Sequence, residues 1–160
     1  MKINKLLWVG LLLATQSISQ ICQADIAKPT KNTSNISMAN ATPISFATGN
    51  ITHVITDKLA RNQDEHWYQF NAQQGQYAII NISHSQAQGI TETANVGVLY
   101  FPNGEQDGTK GGIIYQGCLP ESGKYHLRIA RNLMATHGGV AGYRVEMVIL
   151  PRYASRTLCP

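Results

Sequence analysis

An all-β fold, an antiparallel β-sandwich of about eight strands with jelly-roll-like connections, follows from three features of the 160-residue chain. Apolar and polar residues alternate with a period of two in several short runs, the signature of strands that bury one face. Gly, Pro or Asn stands at most joints between those runs, where tight turns favour them. Beyond the N-terminal segment, no stretch spaces its apolar residues as a helix face requires.

The N-terminus differs from everything after it. Lys2 and Lys5 precede an apolar run at 6–14 and a polar stretch ending in Cys22-Gln23-Ala24, the layout of a secretory signal cleaved before Asp25. That run is too short to span a bilayer, and no other segment approaches a membrane span. Gln20-Ile21 occupy the places where a lipoprotein signal needs small residues, which argues against lipid attachment at Cys22. Removing residues 1–24 leaves 136 of the 160 residues, enough for one domain with a sizeable core. Losing Lys2 and Lys5 also lowers the formal charge from +4 to +2. A charge so small gives no support to nucleic-acid binding. Residues 25–43 are rich in Asn, Thr, Ser and Ala without either period, and are expected to form a flexible leader.

The sandwich is expected to occupy 44–150, with strands at 44–48, 51–59, 66–72, 77–84, 96–101, 113–119, 124–130 and 143–150. In the third of these, His66, Tyr68, Phe70 and Ala72 share one face, while Trp67, Gln69 and Asn71 share the other. Gly75 then turns the chain into a run whose Ala78, Ile80 and Ile82 face the core, so a hairpin is expected. Along 124–130 the inward residues are Tyr125, Leu127 and Ile129; along 143–150 they are Tyr143, Val145, Met147 and Ile149. Two cysteines remain after the signal, Cys118 and Cys159. Export and an even count without metal-like spacing argue that they pair, tying the tail at 151–160 back to a strand.

Specific residues carry a family resemblance. An acidic turn (Asp64-Glu65), an aromatic pair (Trp67-Tyr68), Phe70, a polar link with Gly75 and then an aliphatic strand resemble the signature of bacterial pre-peptidase C-terminal domains. Leu119-Pro120-Glu121-Ser122-Gly123-Lys124-Tyr125 and the strand after it resemble the second hallmark of that family, and 143–149 is similar to its closing strand. The resemblance covers 51–150 in the family's order. Stand-alone periplasmic proteins of this architecture include inhibitors of goose-type lysozyme. Lysozyme-inhibitor families share a Ser-Gly-x-x-Tyr or Ser-Gly-x-Tyr element, and Ser122-Gly123-Lys124-Tyr125 matches the shorter form. The resemblance implies a periplasmic or secreted binding protein whose rigid sandwich presents loops to the substrate cleft of a goose-type lysozyme.

The candidate contact residues are therefore Ser122, Gly123, Lys124 and Tyr125, with Arg61, Asp64, Arg131 and His137 on turns expected nearby. A purely structural account also fits two of them: Gly123 relaxes a tight turn, and Tyr125 fills the core with its hydroxyl on the backbone. Ser122 and Lys124 face water in either account, and the Lys ammonium suits an acidic cleft. The loop at 131–139 is longer than a hairpin needs, as binding loops often are. A second reading makes the chain a module for peptidoglycan or another envelope glycan or anionic surface. Trp67 would stack on a sugar, and the outward stripe Lys124, His126 and Arg128 would join Arg144 if the last two strands pair.

Catalysis and cofactors find no support. Gly-x-Ser-x-Gly, His-Glu-x-x-His and phosphate-loop motifs are absent. The five histidines, His53, His66, His84, His126 and His137, are scattered, without metal-ligand spacing. Asn103-Gly104-Glu105-Gln106-Asp107-Gly108 copies the first half of a calcium loop, but Ile114 stands where the bidentate Glu is required. A Gly-rich turn holding no metal is the expectation there.

Overall fold

Two sheets face each other in the computed structural model, which describes residues 37–160. A 3₁₀ turn at Met38–Asn40 is followed by β1 (Thr42–Pro43), β2 (Thr52–Leu59), β3 (Glu65–Ala72), β4 (Tyr77–Ser83) and β5 (Glu92–Thr93). Then come β6 (Val96–Tyr100), β7 (Gln106–Lys110), β8 (Gly112–Cys118), β9 (Gly123–Ala130), β10 (Ala141–Ile149) and the helix α1 (Arg152–Ser155). One sheet has the order β1-β3-β9-β6-β7; the other runs β2-β10-β4-β8, with β5 alongside β10. Pairing is antiparallel except for the two-residue strands β1, on β3, and β5, on β10. The all-β sandwich read from the sequence is thus the fold.

The alternation explains the layers. Tyr125, Leu127 and Ile129 of β9 and Tyr143, Val145 and Met147 of β10 are buried in one core. Tyr68, Phe70 and Ala72 join it from β3; Ala78, Ile80 and Ile82 join it from β4. Burying a side chain of this size contributes about 1.5–3 kcal/mol, so the cleanly alternating strands fix the register.

Several expectations need correction. The predicted hairpin does not form: β3 pairs with β9, and β4 pairs with β10 and β8. The turn at 73–76 instead carries the chain from one sheet to the other, because both strands bury their apolar faces in the same core from opposite sides. Likewise β9 and β10 lie in different sheets, which removes Arg144 from the stripe formed by Lys124, His126 and Arg128. Among the described residues there are ten strands rather than eight, and 44–48 is not one of them. Pairing starts earlier, at Thr42–Pro43, inside the stretch read as a leader. Ala41 and Ile44 are buried there, and the Ile44 N–H donates to the Gln69 carbonyl at 2.8 Å. The signal at 1–24 and the leader up to residue 36 lie outside the described residues.

The stretch resembling half a calcium loop is a hairpin, not a free turn. Asn103 and Glu105 bond each other across its tip, and Gln106–Lys110 is a strand on β6. Gly108 lets the two strands close, since a Cβ there would stand 2.6 Å from the Gly97 carbonyl oxygen.

After β10 the tail folds back. Ser155 is wholly buried; its hydroxyl accepts from the Tyr77 N–H at 2.9 Å and lies 3.1 Å from the Pro151 carbonyl, to which it can donate. Cys159 is bonded to Cys118, 41 residues earlier. No helix among the described residues is long and apolar enough to cross a membrane. Closing a loop of that length contributes about 4 kcal/mol in the chain-entropy model. Replacing both Cys118 and Cys159 by Ser should therefore lower the unfolding free energy by about that amount in a denaturant titration.

Candidate partner-binding surface

The register of β3 on β9 decides which candidates can act together. Ala72 lies opposite Gly123 at one end, and Glu65 lies opposite Ala130 at the other. Eight residues separate those ends, roughly 24 Å at about 3.4 Å per residue. Ser122, Gly123, Lys124 and Tyr125 therefore belong to one end, while Arg61, Asp64, Arg131 and His137 belong to the opposite one. The expectation that these turns are neighbours is corrected by this separation.

At the first end the turn into β9 is rigid. Gly123 has φ +152°, and a Cβ there would meet the Pro102 ring at 3.0 Å. Tyr125 is fully buried and stacks on Phe70 at 5.5 Å. Its hydroxyl donates to the Glu121 carbonyl at 2.7 Å. These two residues hold the turn from within, and Tyr125, named as a contact candidate, has no surface exposed in the free protein. Ser122 and Lys124 are exposed. The Ser122 hydroxyl accepts the Gln74 N–H at 3.0 Å, fastening the turn to the sheet-crossing segment.

Across the outer face of β3 and β9, the stripe and the tryptophan are less available than the alternation suggests. Trp67 does face outward, yet only 8% of it is exposed. Its ring packs against Tyr100 at 5.3 Å, and its Nε1–H donates to Glu65 Oε1 at 2.7 Å. The second Glu65 oxygen takes a short contact from Arg128 Nε. Long neighbouring side chains thus cover the indole, and Trp67 is not a free stacking platform. Burial and the nearby Lys124 lower the His126 pKa. Arg144, on the other sheet, pairs with Glu146.

A polar chain between the sheets has no signature in the sequence. His66 Nδ1 lies 2.6 Å from the Tyr143 hydroxyl, which lies 2.5 Å from that of Tyr68. Tyr68 in turn donates to Asp57 Oδ2 at 3.4 Å. One direction satisfies every group: His66 Nδ1–H donates to Tyr143, Tyr143 to Tyr68, and Tyr68 to Asp57. Burial pushes the Tyr68 hydroxyl up to about 12 and raises that of Tyr143 further. Burial also lowers the His66 pKa, against the opposing pull of Asp57. The chain satisfies buried polar groups.

Arg131 organises the second end from inside. It is 4% exposed, and its guanidinium donates to the carbonyls of Gln63 at 2.7 Å, Ala60 at 2.5 Å and Leu59 at 3.1 Å. Its Nη1 reaches Glu92 Oε2 at 3.0 Å. Glu92 also accepts from the Thr136 hydroxyl and from the N–H groups of Gly139 at 2.7 Å and His137 at 2.9 Å. The bond from Thr136, then that from Gly139, holds the Glu92 carboxyl down at about 2. One ion pair thereby ties the turns at 59–64 and 131–139 to β5. Arg131, a candidate contact residue on its turn, is thus buried in this role. Glu92, from a polar stretch without period, was not legible as its partner. Asp64 contributes its carbonyl to the Arg131 N–H, while Gln63 caps the Ala60 N–H at 3.0 Å. Arg61, His137, Leu133 and Met134 remain exposed on these turns.

Replacing Arg131 by Ala would leave three carbonyls without their donor and take the cation from Glu92, which keeps its bonds from Thr136, Gly139 and His137; the unpaired carbonyls alone should cost about 3 kcal/mol, measurable by denaturant unfolding. The Glu92 carboxyl titrates below its ordinary 4.5. The stability it contributes is therefore complete above that value and is lost as pH falls toward 2. Thermal unfolding followed from pH 5 to pH 2 should show a steeper decline in the native protein than in Glu92→Gln.

No family model and no curated protein matches this sequence. Among solved structures, the periplasmic inhibitor of g-type lysozyme PliG from Aeromonas hydrophila superposes with a TM-score of 0.53. It is 20% identical, over 69% of this chain and 96% of that one. PliG from Salmonella Typhimurium gives 0.52 and 21%, over 69% and 97%. The pre-peptidase C-terminal domain of the Bacillus anthracis collagenase gives 0.44 and 16%, over 69% and 94%. At these identities the likeness is one of fold: this chain is built on the β-sandwich of the periplasmic g-type lysozyme inhibitors.

Proposed function

We propose that this protein is an exported inhibitor of g-type lysozyme, acting in the periplasm or outside the cell by binding and not by catalysis. The observation that carries the reading is the superposition on such inhibitors along nearly their whole length. The secretory layout of residues 1–24 and a disulfide suited to an oxidising compartment support export.

The exposed 122–124 turn is the contact this reading favours. Glycoside hydrolases place carboxylates in their clefts, so an inhibitor gains from a cation presented at a fixed position. Of the three Lys and Arg candidates, Arg131 is buried in its own knot, Arg61 is exposed at the opposite end, and Lys124 is exposed beside the turn that Gly123 and Tyr125 hold. Arg152 is also exposed and lies beside Asn71 and Gln76, at the same end. Gly123, Tyr125 and the Gln74–Ser122 bond pre-order the turn, which lowers the conformational cost of binding. Complementary charge speeds encounter and makes it sensitive to salt.

The test is lysis of a bacterial cell-wall suspension by goose-type lysozyme, with chicken-type lysozyme in parallel, titrated with the oxidised protein. Goose-type activity alone should disappear near one equivalent. Ser122→Ala and Lys124→Ala should each raise the inhibitor required by about tenfold, whereas Arg61→Ala and His137→Ala should not. A folded, oxidised sample that inhibits neither enzyme would sink the reading.

A further inference from the structure

Between the start of β2 and the tail lies an open groove of about 350 Å³, within the range of small-molecule sites, about 300–1,000 Å³. Phe46, Ile51 and Tyr153 supply its apolar lining, and Asn50 and Asn71 supply amides. None of the described residues lining it is charged.

Tyr153 is 77% exposed, although the helix that carries it is pinned twice. Ser155 anchors the helix to Tyr77 and Pro151, and the Cys118–Cys159 bond fixes the chain beyond it. An aromatic ring left in water on so constrained a support loses little freedom when something stacks on it. Among the described residues, the side-chain amides of Asn50 and Asn71 make no hydrogen bond. Each offers two N–H donors and a carbonyl acceptor.

A flat ring beside unpaired amides, in a neutral setting, suits an uncharged sugar. The C–H face of a pyranose covers the aromatic ring, while its hydroxyls exchange hydrogen bonds with the amides. The lining itself holds no charge for a phosphate or a carboxylate to meet; Arg152 and Lys124 stand beside it and do not line it. We propose that this groove binds an uncharged pyranose chain, with Tyr153 as the stacking platform and Asn50 and Asn71 as its hydrogen-bonding partners. It takes the place of Trp67, which is covered. Asn71 lies opposite Lys124 across β3 and β9, so the groove opens beside the 122–124 turn. The proposal does not depend on lysozyme inhibition.

The experiment is a titration of the ¹⁵N-labelled, oxidised protein followed by NMR, using two probes. Chitotetraose carries acetamido groups; maltotetraose does not. Saturable shifts at Asn50, Asn71 and Tyr153 are expected with one of them. Chitotetraose would mark an N-acetylated cell-wall strand as the natural ligand, and maltotetraose a hexose polymer. Tyr153→Ala should weaken binding by about tenfold and Tyr153→Phe should retain it. Lysozyme inhibition by Tyr153→Ala, measured alongside, should stay at the native level. Sugar binding in a protein that inhibits no lysozyme would leave this proposal standing and remove the other. No saturable shift with either sugar at about 10 mM, or equal binding by Tyr153→Ala, would overturn it.

Discussion

The apolar faces of β9 and β10 meet across the sandwich, and the placement of nearly every other group follows from that meeting. Tyr125, Leu127 and Ile129 face Tyr143, Val145 and Met147 in a core from which water is excluded. Strands whose apolar faces approach that core from opposite sides lie in different sheets. Their partners are then recruited from elsewhere in the chain: β3 and β6 flank β9, and β2 and β4 flank β10. The connections become crossings between sheets, and the turns collect at two ends about one strand length apart.

Those ends differ in what they do with their polar groups. At the Arg131 end, charge is turned inward. A guanidinium and a carboxylate, both nearly withdrawn from water, satisfy the carbonyls and N–H groups of two irregular segments, the role that justifies burying an ion pair. At the Ser122 end, order comes from a buried tyrosine and a glycine in a conformation other residues avoid, so Ser122 and Lys124 stay available to solvent. The helix at 152–155 adds an exposed Tyr153 to the same end. Rigidity at the Ser122 end leaves polar side chains in water, whereas rigidity at the other end consumes them within the fold.

Much of this was legible in the sequence because period-two alternation is a local property. The inward faces of β4, β9 and β10 and the turn at Gly123 could be read from nearest neighbours, and the disulfide from an even cysteine count in a chain with a secretory layout. Which strands pair is not local. The run at 77–84 fits a hairpin with 66–72 as well as it fits a crossing, and only the competition of all the faces for one core excludes the hairpin. Trp67 illustrates the same limit: alternation placed it outward correctly, but the covering by Tyr100, Glu65 and Arg128 depends on neighbours brought together by the fold. Glu92 and Asp57, partners of Arg131 and Tyr68, lie 39 and 11 residues away from them. Nothing in their own surroundings marks them.

Under the proposed inhibitor reading, the partner is met at the 122–124 end and not at the Arg131 end. Mapping the surface of the ¹⁵N-labelled protein by NMR as unlabelled goose-type lysozyme is added tests this most directly. Amide signals of 73–76 and 122–124 should shift or broaden first, while those of 132–138 stay in place. Perturbation confined to 132–138 and 60–64 would contradict it.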